Sequence, residues 1–239
     1  MDLENYILLE EVSVYYENYI QRKNSTLKNR IINSVIGSEV SQLKNKQVIW
    51  PLKNISLKIE KNDRIGLVGP NGSGKSTFLR LLAGCLEPIE GKIQISGEVK
   101  SILNLDMGLD RELTGIENLK LQATIRGYNF EETNKFINEV LNFSELDNFI
   151  NFPVETYSNG MVLRLAFAIA TYGLPDILLL DEVVNVGDEN FKKKSLIRIE
   201  ELMVSSKILV LASHDKNIIK SYCNKVFEFK NGSIIINQI

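Results

Sequence analysis

Arg64-Ile65-Gly66-Leu67-Val68 leads directly into Gly69-Pro70-Asn71-Gly72-Ser73-Gly74-Lys75-Ser76-Thr77. An apolar segment thus enters a glycine-rich loop, and a second apolar segment leaves it and stops at Gly84. The loop matches G-x-x-x-x-G-K-[ST] at Gly69, Gly74, Lys75 and Ser76. The pattern has meaning only between a strand and a helix, and the sequence predicts both: a strand over 64–68 and a helix from Ser76 to Ala83. Glycines let backbone N–H groups turn inward, the helix N-terminus adds partial positive charge, and Lys75 adds a full one. Such a loop cradles phosphate, and Ser76 is placed to ligate Mg²⁺. Gly69, Asn71, Gly72, Ser73, Gly74, Lys75, Ser76 and Thr77 are therefore the candidate nucleotide-binding set. A plain glycine-rich helix cap does not account for the strand and the helix both being in place.

Three further stretches lie downstream. Ile177-Leu178-Leu179-Leu180 ends in Asp181-Glu182, so both acids emerge at the carboxyl edge of a buried strand, where ligands sit in open α/β sheets. Asp181 is placed to hold Mg²⁺, directly or through water, and Glu182 to polarise an attacking water as general base. Between the loop and these acids lies YSNGMVLRLAFAIA, Tyr157 to Ala170. A serine at a helix start usually only caps it, but the same geometry binds phosphate oxygens. The chain already has one phosphate loop, so a second site at Ser158 suggests a nucleotide held by another copy. The only histidine, His214, follows an apolar strand in Ala212-Ser213-His214-Asp215.

These residues, in this order, closely resemble the ABC ATPase family. Lys75 and Ser158 are 83 positions apart, Ser158 and Asp181 23, and Asp181 and His214 33, and these gaps agree with the family. The resemblance implies a P-loop α/β fold: a mainly parallel sheet, an antiparallel β subdomain and an inserted helical subdomain. It also implies two MgATP molecules sandwiched between two copies, head to tail. Ser158 and Gly160 then touch the partner's γ-phosphate. The family's usual signature is LSGGQ, and here Asn159 replaces a glycine and Met161 a glutamine. His214 matches the histidine that senses γ-phosphate, and Asp188 matches the D-loop that runs across the dimer. Tyr16 matches the aromatic that stacks on adenine, with Tyr15 as the neighbouring candidate and a core role as the alternative. Asn104 stands nearest the position of the Q-loop glutamine, which contacts the metal site. It keeps the amide but is one methylene shorter.

The resemblance extends further, to MGLDRELTGIENL (Met107 to Leu119) and DEVVNVGDENFKKKS (Asp181 to Ser195). These look like the ATP-binding subunits of bacterial exporters of lipid-linked O-antigen, capsule or teichoic acid. Such a subunit works with a separate pair of transmembrane permease subunits, on the cytoplasmic face of the membrane. A drug or peptide exporter is the nearest competing reading. Soluble ATPases of the family that act on ribosomes or DNA usually carry two cassettes or long coiled-coil inserts, and neither occurs here.

Composition fits this frame. The chain has 239 residues, 44% hydrophobic and 24% charged, with formal net charge −2. That is ordinary for a globular domain, and no basic excess argues for nucleic acid. The start shows no signal-peptide pattern, and no apolar run approaches the roughly 20 residues a membrane span needs. The two cysteines, Cys85 and Cys223, have no metal-ligand spacing and read as reduced, buried thiols.

Along the chain, residues 6–16 and 48–68 read as strands, with Ile55, Leu57 and Ile59 alternating. A basic insertion lies between them over 17–47, with a helix expected over 26–36. It either faces the membrane partner or a pyrophosphate head group, or packs on its own domain. A short strand region follows over 92–105, then a helical subdomain over about 112–173 that opens with a capping box at Thr114 and Glu117. Strand, helix and a hairpin at Asn231-Gly232 are expected to close a single cassette, and no carbohydrate-binding domain is expected after it. Lys192-Lys193-Lys194 reads as a solvated helix face.

Overall fold

The computed structural model describes residues 5–18, 39–43, 46–103, 108–181 and 188–239. They fall into two compact units. One comprises residues before 102 with 175–181 and 206–239; the other comprises 102–174 with 188–205.

The first unit holds two sheets. Strands β1 (Tyr6–Asn18), β2 (Glu39–Leu43), β3 (Lys46–Glu60) and, later in the chain, β5 (Glu90–Ser96) form an antiparallel sheet in the order β2-β3-β1-β5. Ile7, Leu9 and Val12 of β1 face a core shared with Leu52, Ile55 and Ile59 of β3. The ends of the insertion are therefore strand: β1 runs on to Asn18, and β3 begins at Lys46, inside the segment expected to be loop. The helix expected over 26–36 lies outside the described residues.

The second sheet is built on β4 (Arg64–Val68), β6 (Val99–Ile102), β7 (Ile177–Asp181), β8 (Ile208–Ala212), β9 (Lys225–Lys230) and β10 (Ser233–Gln238), in the order β10-β9-β4-β8-β7-β6. β4 pairs in parallel with β8 and β9, and β7 with β8. Side chains of β7 and β8 from Ile177 to Leu180 and from Ile208 to Leu211 are buried, as strands covered on both faces must be. Asn231 and Gly232 both have positive φ, the requirement of the tight hairpin turn that joins β9 to β10. Helix α1 (Lys75–Leu82) packs on this sheet through Phe78, edge-on to Phe227 and Phe229 at 6.3 and 5.5 Å.

The second unit is helical. It contains α2 (Gly115–Ile125), α3 (Phe130–Ser144), two short 3-10 turns (Asp147–Asn151 and Val154–Thr156), α4 (Asn159–Ala170) and α5 (Glu189–Ser205). Thr114 and Asn129 each close a capping box, with Glu117 and Glu132. Phe143, Phe167 and Phe191 form one aromatic cluster among α3, α4 and α5. Helix α5 thus belongs with the block expected at 112–173, although β7 separates them in the chain. The short helix α6 (Lys216–Tyr222) returns to the first unit.

Candidate active site

Backbone register decides what comes together in the first unit. Leu67 of β4 pairs with Ala212 of β8, and Ala212 pairs with Asp181 of β7. The strand that enters the phosphate loop, the strand that delivers Asp181 and the strand that delivers His214 therefore end side by side. In open α/β sheets this carboxyl edge is where ligands bind.

The loop is shaped by Gly69, Gly72 and Gly74, all at positive φ. At Gly74 no other residue fits, because a Cβ would lie 2.4 Å from the Pro51 carbonyl oxygen. Gly74 opens α1 with no side-chain cap. Lys75 arches back over the loop, its Nζ donating to Gly69 O at 2.7 Å and Pro70 O at 3.0 Å. The Ser73 hydroxyl is buried and has no hydrogen-bond partner among the described residues. A glycine-rich loop at a helix N-terminus, with an ammonium above it and an orphaned hydroxyl inside it, fits a bound phosphate chain.

Ser76 Oγ donates to Asp181 Oδ2 at 3.0 Å, joining the helix start to the end of β7. A hydroxyl and a carboxylate at this separation are the hard oxygen donors that suit Mg²⁺, which takes few protein ligands and fills its shell with phosphate oxygens and water. His214 is exposed just beyond β8, and Asp215 caps α6 by accepting from Asn217 N at 2.8 Å.

The two candidate tyrosines separate cleanly. Tyr15 packs on Trp50, ring centroids 4.9 Å apart. Tyr16 is 44% exposed, and its hydroxyl lies 3.4 Å from Thr77 Oγ1 at the start of α1. Tyr16 is thus the one beside the phosphate loop. Glu182 and Asn104 lie outside the described residues.

In the helical unit, Ser158 caps α4, accepting from Met161 N at 3.3 Å, and is itself exposed. The turn is held from behind by Tyr157, buried, whose hydroxyl donates to Phe149 O at 2.7 Å. Burial raises the Tyr157 phenol above its ordinary value. Asp188 caps α5, its Oδ1 accepting from Asn190 N at 3.1 Å and Phe191 N at 3.0 Å, and its Oδ2 binds Arg164 of α4. The Phe191 N–H, and then the Arg164 charge, hold the Asp188 carboxyl below the usual range. Sequence reasoning passed over Arg164. The available signal was that it is the only charged residue in an otherwise apolar helix.

A glycine-rich loop between β4 and α1, with a hydroxyl–carboxylate pair beneath it at the sheet's carboxyl edge, is the arrangement of a P-loop nucleoside triphosphatase. The sequence matches the ABC transporter family over residues 52–185, and the chain belongs to that family. It is 37% identical over 218 residues to an O-antigen export system ATP-binding protein of Myxococcus xanthus, covering 91% of this chain and 49% of the relative. The chain therefore spans about half the length of that protein. It is 36% identical to an O-antigen export system ATP-binding protein of Yersinia enterocolitica, covering 95% of both. It is 34% identical to a teichoic acids export ATP-binding protein of Listeria innocua, covering 95% of this chain and 65% of the relative. Among solved structures, a dimeric bacterial ABC transporter cassette shares the fold, with TM-score 0.67 and 23% identity over 97% of this chain and 98% of that one.

Proposed function

We propose that this chain is the ATP-hydrolysing subunit of an ABC transporter that exports a lipid-linked surface polysaccharide, of O-antigen, capsule or teichoic acid type. It acts as a head-to-tail dimer on the cytoplasmic face of the membrane, beneath a separate pair of permease subunits. None of its described helices is long and apolar enough to cross a membrane. The export reading draws support from the relatives named for O-antigen and teichoic acid export. The hydrolytic reading is carried by one observation, Ser76 Oγ on Asp181 Oδ2 at 3.0 Å beneath the phosphate loop.

In this reading Lys75, Ser73 and the N–H groups from Gly72 to Thr77 bind the phosphate chain, and Tyr16 stacks on adenine. Ser76 and Asp181, with Asn104 as the further candidate, would hold Mg²⁺, which would supply charge neutralisation to the phosphate chain. Glu182 takes the proton of the attacking water, and His214 holds the γ-phosphate. Ser158, Gly160 and Asp188 come from the other copy. Phosphoryl transfer needs mainly positioning and charge neutralisation, so the site requires little else.

Glu182→Gln is expected to keep ATP binding, to slow hydrolysis by on the order of a hundredfold or more, and to trap a dimer in the presence of MgATP. Wild-type turnover in that variant would remove Glu182 as the base. The cargo is tested by depleting the protein in its host and analysing membrane lipids by mass spectrometry. A polyprenyl-linked glycan should accumulate inside the cell; intact surface glycans without accumulation would discard the export reading.

A further inference from the structure

Arg164 is the only charged residue between Tyr157 and Ala170. A lone arginine on an apolar helix normally sends its head to solvent. Here the side chain is 20% exposed and turns to three partners. It binds the Asp188 carboxylate, lies 3.7 Å from Glu145 Oε2, and stacks over the Phe191 ring at 5.0 Å. These partners sit on two segments: Glu145 ends α3, while Asp188 caps α5 and Phe191 lies in its first turn.

The acids around Arg164 are themselves anchored. Lys194 of α5 takes Glu145 Oε1 at 2.5 Å and donates to Phe143 O at 3.0 Å, with its ammonium 4.7 Å from the Phe143 ring. Asp188 uses one oxygen for the α5 N–H groups and the other for Arg164. Moving Arg164 therefore displaces the start of α5. Arg164 lies six residues beyond Ser158, less than two helical turns. Asp188 lies seven residues beyond Asp181. The Arg164–Asp188 pair thus joins the helix that presents Ser158 to the capping residue of α5. A pair whose only task was to close the aromatic cluster would not need to sit on the helix-capping carboxylate.

We propose that Arg164 is a positioning residue for ATP hydrolysis, fixing Asp188 and the start of α5 against the helix that carries Ser158. This rests on reading Ser158 and Asp188 as parts of a two-copy nucleotide site. Because the guanidinium reaches two carboxylates and a ring, lysine replaces it only in part.

The test uses the full chain and its Arg164→Ala, Arg164→Lys, Asp188→Asn and Arg164→Ala/Asp188→Asn variants, with ATPase kinetics and thermal melting of each. Arg164→Ala should lower kcat by on the order of tenfold or more while KM for ATP changes by less than about twofold, as misplacement of a reacting group does. Arg164→Lys should recover part of the loss. The double variant should be no slower than Asp188→Asn, because Arg164 acts through Asp188. Asp188→Asn keeps the side-chain volume and covers the case in which Arg164→Ala fails to fold. Wild-type kcat in either single variant, or losses that multiply in the double variant, would overturn the inference. So would a loss that follows the melting temperature and that lysine does not relieve. Ser158→Ala in the same assay separates the two levels. Wild-type turnover there overturns the two-copy site and this inference together; lost turnover there with wild-type Arg164→Ala overturns this inference alone.

Discussion

Gly160 sits in the first turn of α4 without positive φ, and a Cβ there would meet only Ser158 Oγ, at 3.9 Å. Nothing in the chain's own fold requires glycine at this position, and glycine in a helix costs up to about 1 kcal/mol relative to alanine. Gly160→Ala should therefore leave the melting temperature unchanged or higher, yet lower ATP turnover on the order of tenfold or more by placing a methyl group where a partner's phosphate is to sit. Equal turnover would show that the bare first turn faces no ligand. The cysteines offer a second residue-scale test. Cys85 is exposed, against the buried thiol expected of it, whereas Cys223 is buried as expected and its thiol is pushed up to about 11. A thiol reagent near neutral pH should label one cysteine in the native chain and two in denaturant. The raised value also sets a sign. Below the ordinary thiol value of 9.0 Cys223 adds no pH dependence, and as pH rises from there toward about 11 the unfolded chain ionises first and stability falls. Cys223→Ala should remove that alkaline slope from the melting curve.

At the scale of elements, the two capping boxes carry separable expectations. Asn129 accepts from Glu132 N at 3.0 Å, and Asn129→Ala should cost about 1 kcal/mol, read as a lower urea midpoint. At Thr114 the cap is linked to pH. The Thr114 hydroxyl, then its backbone N–H, holds the Glu117 carboxyl below its ordinary value. That stabilisation is present above the ordinary value and is lost as pH falls through the lowered one, so Thr114→Ala should flatten the acid limb of stability against pH. These caps were legible in the sequence because each is a local pattern. So were the apolar strands and the Asn231-Gly232 turn. The charge run Lys192-Lys193-Lys194 misled in part: Lys192 and Lys193 are exposed, but Lys194 turns in to Glu145 and Phe143. Local charge density does not reveal a partner 49 residues away. The grouping of α5 with the helical unit was hidden for the same reason, as was the pairing of Arg164 with Asp188. In the site, the order of motifs was readable, but the Leu67–Ala212–Asp181 register that aligns them is a tertiary fact. The choice between Tyr15 and Tyr16 likewise needed ring positions, since adjacent residues of a strand point to opposite faces.

For the whole molecule, the decisive consequence of a head-to-tail pair is that each nucleotide site draws on two chains. Lys75 and Ser158 lie in different compact units of one chain, and on the proposed reading they act on the same ATP only when contributed by different copies. That separates two arrangements that single mutants cannot. If one chain completes its own site, Lys75→Ala and Ser158→Ala proteins remain inactive after mixing, because every site retains one defect. In a two-fold pair the mixed dimer places both defects in one site and leaves the other intact. With random re-pairing and independent sites, mixing equal amounts of two inactive variants should restore about a quarter of wild-type ATPase activity. If both sites must fire together, no activity returns, but the mixed dimer still retains one MgATP more tightly than either parent. Nucleotide retention is therefore measured beside turnover, and only the absence of both would rule out the shared site.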